Sequence, residues 1–185
     1  MKRKIFYVGK LKNAAHLLFY KHHIKPGVKG WELKKSLGPD YPKIVELLNN
    51  YLSPLNMEVK TVSEEGELPE KPTLDQLDKA RFYVTIKGNL DQKEVKATGW
   101  RIDDISGLAV AVSHIISQGG KAPREEVEKL LREKLPEWRI SQSIDRYIRG
   151  GYLIEDENGL LYLDWRSKAE INQKTLIDSL LEIKD

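Results

Sequence analysis

Apolar positions recur at helical spacing through the first fifty residues. Leu11, Ala14, Leu18 and Phe19 fall on one face and predict a helix from Leu11 to His23. Pro26-Gly27 ends it, since proline lacks the amide a helix interior needs. Trp31, Leu33 and Leu37 mark a short second helix, closed by Gly38-Pro39. A third opens with Asp40 as cap and Pro42 in its first turn, and carries Ile44, Leu47, Leu48, Tyr51 and Leu52 as its stripe. Beyond Pro54 the period changes to two. Met57, Val59 and Val62 read as one strand, and Arg81 to Lys87, rich in aromatic and β-branched residues, as another. Between them residues 63–79 are polar and acidic, with Pro69 and Pro72, and predict a loop or exposed hairpin tip.

The same order then returns. Asp103 or Asp104 is placed to cap a helix whose stripe is Ile105, Leu108, Val112, Ile115 and Ile116, ended by Gly119-Gly120. Pro123 opens the next, with Val127, Leu130, Leu131 and Leu135 opposite charged Arg124, Glu125, Glu128, Lys129 and Arg132. After Pro136, Ser141 can cap a third helix with Ile144, Tyr147 and Ile148 inward and Gly150-Gly151 at its end. Tyr152–Ile154 and Leu160–Leu163 flank Asp156-Glu157-Asn158-Gly159, a hairpin signature. A last helix, about Lys168 to Ile183, carries Leu176, Ile177, Leu180 and Leu181. Three helices and a two-stranded ribbon, twice over, predict an α+β, mainly helical chain: a tandem winged helix, its two winged-helix domains packed together. The expected boundaries are 1–90 for the first, 91–103 for a linker, and 104–185 for the second with its C-terminal helix.

Composition narrows the function. The chain has 185 residues, 40% hydrophobic and 32% charged, enough apolar matter for a core. Cysteine is absent, which excludes disulfides, Cys-type zinc sites and Cys nucleophiles. With no apolar run near ~18 residues and no secretory leader, a cytoplasmic protein is expected, nucleoid-associated if prokaryotic. The net charge of +3 hides an asymmetry: residues 1–62 hold 12 Lys and Arg against 4 acids, whereas 151–185 hold 4 against 8. A basic half in a nearly neutral chain suggests an anionic partner, nucleic acid first, or simply a lysine-rich surface.

Several motifs carry a resemblance. Ser106-Gly107-Leu108 through Val112, Gly119-Gly120-Lys121-Ala122-Pro123-Arg124-Glu125-Glu126, Gly151-Tyr152-Leu153, and Tyr162-Leu163-Asp164-Trp165-Arg166-Ser167-Lys168-Ala169-Glu170 resemble, in order, segments of the MAGE homology domain's second winged helix. In the first half, Tyr41-Pro42-Lys43-Ile44, Leu55 to Lys60 and Phe82-Tyr83-Val84 resemble the corresponding helix and strands. Arg166-Ser167 departs from the Gly-Pro the family carries there. The resemblance implies a non-enzymatic subunit like the MAGE-type member of the SMC five–six complex, of the kleisin-interacting tandem winged-helix class. Such a subunit binds a kleisin-type or sister tandem winged-helix protein and helps hold duplex DNA.

The residues themselves show no enzyme signature, and neither cofactor nor metal is expected. Ser117 to Lys121 lacks the spacing of a phosphate-binding loop and follows a helix rather than a strand. His22 and His23 point about 100° apart on a helix, and His16 lies two turns from His23. Ser63 to Glu67 and Glu155-Asp156-Glu157 read as solvated tips, and an acidic second wing argues against that wing lying on phosphate. The candidate double-stranded DNA contacts are therefore Lys21, Lys25, Lys29, Lys34, Lys35 and Lys43 in the first half, which suit phosphate. In the second half they are Gln142, Arg146 and Arg149 on the third helix, with Arg139 just before it. Asp145 interrupts that face. Trp31 is expected in the core or an interface, Trp100 in the link, and Trp165 pinning the last helix. Leu176, Ile177, Leu180 and Leu181 are the candidate partner-binding stripe, for another protein or a homodimer. Two other readings stay open: a sequence-specific regulator using Gln142, Arg146 and Arg149, and a protein-only scaffold.

Overall fold

The computed structural model describes residues 2–20, 26–63, 68–88, 99–172 and 175–176, with side chains from residue 7 onward. Contacts divide the chain into two compact units, Met1–Asn89 and Leu90–Asp185.

The first unit opens with α1 (Lys2–Tyr20), followed by β1 (Val28–Lys29), α2 (Gly30–Leu37) and α3 (Tyr41–Leu52). Then come β2 (Met57–Val62), α4 (Leu74–Lys79) and β3 (Arg81–Ile86). β3 lies between β1 and β2, antiparallel to both, with Met57 opposite Ile86, Val62 opposite Arg81 and Val28 opposite Phe82. Ala14, Leu18, Leu33, Leu37, Tyr41, Ile44, Leu48 and Phe82 close the core. Each large side chain removed from water contributes about 1.5–3 kcal/mol.

Three features of this unit depart from the sequence reading. The first helix starts nine residues before the expected Leu11, because nothing between Lys2 and Lys10 breaks it. The stretch expected as loop contains α4, set by a local signal: the Thr73 hydroxyl accepts from the Gln76 amide while the Gln76 side chain accepts from the Thr73 amide. Trp31 is 55% exposed and so does not take the core place that was one of the two expected for it, because Leu33 and Leu37 occupy the inward face of α2. Gly30 explains how α4 packs so closely, since a Cβ there would lie 1.9 Å from the Leu77 carbonyl oxygen.

The second unit runs α5 (Ile102–Ser117), β4 (Lys121–Pro123), α6 (Arg124–Leu131), α7 (Glu137–Arg149), β5 (Leu153–Glu155), β6 (Leu160–Leu163) and α8 (Trp165–Glu170). Its sheet order, β4-β6-β5, repeats that of the first unit. The second unit thus has the helix–strand–helix–helix–strand–strand order of a winged helix, the first has the same order with α4 inserted between its last two strands, and the chain is α+β and mainly helical. The two short first strands escaped the sequence reading because two or three residues cannot display alternation.

α7 ends at a left-handed Gly151 (φ 78°), with Tyr152 and Gly151 amides bonded to the Tyr147 and Ile148 carbonyls. Trp165, 2% exposed, closes over that glycine, so a Cβ at Gly151 would come within 2.8 Å of its Nε1. Trp165 therefore sits in the second unit's interior and itself opens α8, a short helix in place of the start of the one expected from about Lys168 to Ile183. α8 stops at Glu170, and a new helical segment includes Thr175 and Leu176. Leu176 is half-buried and packs on the second unit's own core. Ile177, Leu180 and Leu181 lie outside the described residues, as do Lys21 and Lys25, the pair His22 and His23, and the Glu64-Glu65-Gly66-Glu67 run.

Candidate functional site

The candidate arginines of the second unit come together around a carboxylate that the sequence reading assigned to another task. Asp104 was one of two candidates, with Asp103, for the helix cap. The helix instead begins at Ile102 with Arg101 at its cap position, which moves Asp104 into the first turn on the same face as Leu108, Ala111, Val112 and Ile115. Only 3% exposed, it must find partners for its charge. They come from α7, which starts at Glu137 rather than Ser141 and so takes in Arg139. Arg139 and Arg146 lie seven residues apart, on one helical face. Arg139 Nη2 donates to Asp104 Oδ1, and Arg146 Nη1 donates to Asp104 Oδ2 at 3.0 Å. The Tyr147 hydroxyl donates to the Asp104 carbonyl oxygen at 2.7 Å, and burial, reinforced by the Asp104 charge, pushes that phenol's pKa upward.

Trp100 completes the arrangement from within this unit. Its ring lies parallel to Tyr147 (6.2 Å between centroids, 3° between planes) and edge-on to Tyr152 at 5.7 Å. The Arg146 guanidinium sits 4.3 Å from the Trp100 ring centroid and also donates to the Gly99 carbonyl at 2.8 Å. Asp103 accepts from Arg101 at 3.2 Å and from Arg139 at 3.3 Å, and those bonds, Arg139's foremost, hold its carboxyl below the usual aspartate range. Gln142 and Arg149 are exposed on the rim; the Arg149 Nε donates to the Asp145 carbonyl at 3.3 Å. Together Arg101, Asp104, Arg139, Gln142, Ser143, Arg146 and Arg149 line a cleft of about 270 Å³.

A second network absorbs Arg124, which the sequence reading left as one charge on a solvated face. Its guanidinium donates to Glu128 (3.0 Å), Asp145 (3.0 Å), Glu155 (2.7 Å) and the Ser141 hydroxyl (3.1 Å). It thereby ties α6 to α7 and to the wing formed by β5 and β6. Burial works against its charge, but bonds to Asp145, Glu128 and Glu155 prevail and hold its pKa above the ordinary arginine value. At the wing tip the Asp156 carboxylate accepts from the Asn158 and Leu160 amides (2.9 Å each) and from the Tyr162 hydroxyl (3.1 Å).

In the first unit the candidate lysines are distributed over α2, α3 and the residue preceding α2. Lys34 is ion-paired with Asp78 of α4, which also accepts from the buried Tyr41 hydroxyl at 3.0 Å. Lys29 Nζ donates to the Lys79 carbonyl at 3.2 Å, and Lys43 is 4.0 Å from Asp40 with three quarters of its side chain exposed. Lys35 is exposed on α2. Part of the first unit's positive charge is therefore countered by α4, a helix hidden inside a stretch that reads as loop. Among the described residues no group of three or more His, Cys, Asp or Glu could hold a metal ion, and no helix is long and apolar enough to cross a membrane.

No protein-family model and no curated protein matches this sequence. Among solved structures, a chain of the "Nse1-Nse3-Nse4 complex" is similar in fold, with a TM-score of 0.56 and 20% identity. The alignment covers 76% of this chain and 58% of that one, so this chain spans less than two thirds of its neighbour's length. The likeness is one of fold.

Proposed function

We propose that the protein is a non-enzymatic DNA-binding and assembly subunit, resembling the MAGE-type component of an SMC–kleisin chromosome-maintenance complex. The observation that carries this reading is the succession of two winged-helix units along one chain whose fold is similar to a chain of the Nse1-Nse3-Nse4 complex. The family-like motifs at Gly151-Tyr152-Leu153 and Tyr41-Pro42-Lys43-Ile44 point the same way. In this reading a kleisin-type or sister winged-helix protein binds the second unit, and duplex DNA meets the lysines of the first. Lys29, Lys34, Lys35 and Lys43 contact phosphates rather than base edges, since lysines supply charge without the forked geometry that reads a base.

The test is fluorescence anisotropy with a labelled duplex over a salt series. Wild type should lose affinity steeply with salt, and Lys35→Glu/Lys43→Glu should flatten the log–log slope by about 2, near one unit per phosphate contact removed. Equal slopes would take the DNA role away from these lysines. A strong preference for one duplex sequence over others would instead favour a sequence-specific regulator.

A further inference from the structure

The cleft between α5 and α7 holds more positive charge than its own fold requires. Asp104 satisfies two guanidiniums, one on each oxygen, and Asp103 bridges Arg101 to Arg139. Two carboxylates thus face four arginines. The surplus sits at an open rim, where Arg101 and Arg149 are exposed beside Gln142. Next to two of these arginines in sequence are large apolar side chains left in water: Ile102, 46% exposed, and Trp138, 70% exposed. A preorganised set of guanidiniums bordered by an exposed tryptophan is the composition of a protein-recognition patch.

We propose that this cleft binds an acidic segment of a partner protein, carboxylates among the arginines and an apolar side chain against Trp138. This rests on the partner-binding half of the proposed function and not on its DNA half. Charge decides between a peptide and a duplex. On α7 itself, beyond the cleft, Asp145 joins Glu128 and Glu155 around the single cation Arg124, and Glu157 is exposed at the wing. A duplex lying along α7 and the wing would bring its phosphates against that negative cluster. A single extended peptide can place its carboxylates in the cleft and avoid it. A volume of about 270 Å³ suits one or two carboxylate side chains.

The probe is a fluorescein-labelled peptide with a Glu-Glu-Leu-Asp-Glu core, beside its Gln/Asn counterpart, titrated with the full chain at low salt. Binding should be salt-sensitive, lost in the amide peptide, and weakened tenfold or more by Arg101→Glu/Arg149→Glu, which leaves the Asp104 clamp untouched. Trp138→Ala should weaken it severalfold, with near-ultraviolet circular dichroism reporting that both variants keep the native fold. The Lys35→Glu/Lys43→Glu variant should bind the peptide as wild type does, so failure of the DNA reading is visible separately. Absence of peptide binding, or equal binding by the arginine variant or by the amide peptide, overturns the proposal. If duplex DNA displaces the peptide and itself loses affinity in the arginine variant, the cleft belongs to nucleic acid instead.

Discussion

The first unit keeps Lys34, Lys35 and Lys43 on the outside of α2 and α3, with Lys34 beside Asp78 and Lys43 beside Asp40, while its buried Arg81 donates to the Pro26 backbone carbonyl at 3.1 Å. The second draws arginines inward, and two of its networks cross between helices: Arg139 and Arg146 onto Asp104, and Arg124 onto three acids from three elements. Winged-helix topology is common to both, so the difference lies in what the ionic groups are for. Exposed lysine pairs contribute little to stability and leave charge available to a polyanion. Part-buried arginines gathered on a buried carboxylate such as Asp104 fix geometry, because removing one partner strands the other in a poorer solvent.

The sharpest way to break that contrast is Asp104→Ala. It leaves the Arg139 and Arg146 guanidiniums of α7 side by side without the buried carboxylate that both of them bond, and should cost about 3–5 kcal/mol. Urea unfolding should show the loss. A loss below about 1 kcal/mol would mean that the network is as dispensable as a surface pair. Gly30→Ala probes the other unit through packing rather than charge. Its Cβ would collide with the Leu77 carbonyl, prising α4 from α2 at about 1–3 kcal/mol. Because Asp78 of α4 neutralises Lys34, the same change should raise duplex affinity slightly if those lysines meet phosphate.

The smallest expected effect concerns acid. The Leu160 amide, followed by other donors at the turn, holds the Asp156 carboxyl below the ordinary aspartate range. A folded-state pKa below the unfolded value of about 3.9 means the contribution is complete above that value and is lost as pH falls through the folded one. The Leu160 amide resonance should therefore keep its native shift at pH 5 and move only under stronger acid, whereas in Asp156→Asn it should ignore that titration. A transition centred at about 3.9 would show that the turn holds its carboxylate no better than water does.

Most of the architecture was legible because it rests on periodicity. The stripes through Leu33 and Leu37, through Ile44 and Leu48, and through Ile144 and Tyr147 are buried as their spacing requires, and Asn158-Gly159 turns the wing. The misses share one cause. α4 has too few apolar residues to show a stripe, and its signal is the Thr73–Gln76 pair. Asp104 was read by residue type, as an alternative to Asp103 for the cap, when its spacing from Leu108 and Ile115 already put it on the buried face. Given that, Arg139 and Arg146 seven residues apart were the natural counterions. Long-range pairing itself, such as Arg124 with Glu155, leaves no local trace in a single sequence.

The packing of Trp100 also makes the second unit optically distinct. The chain has four tryptophans, and Trp31 is the one within the first 89 residues. A ring fixed parallel to one tyrosine and against the edge of another, beneath a guanidinium, is an asymmetric chromophore environment that exists only while α7 is seated. Replacing Trp31 with phenylalanine would leave indole emission belonging wholly to residues beyond the first unit. The melting of one half of the molecule could then be followed by light without labelling either.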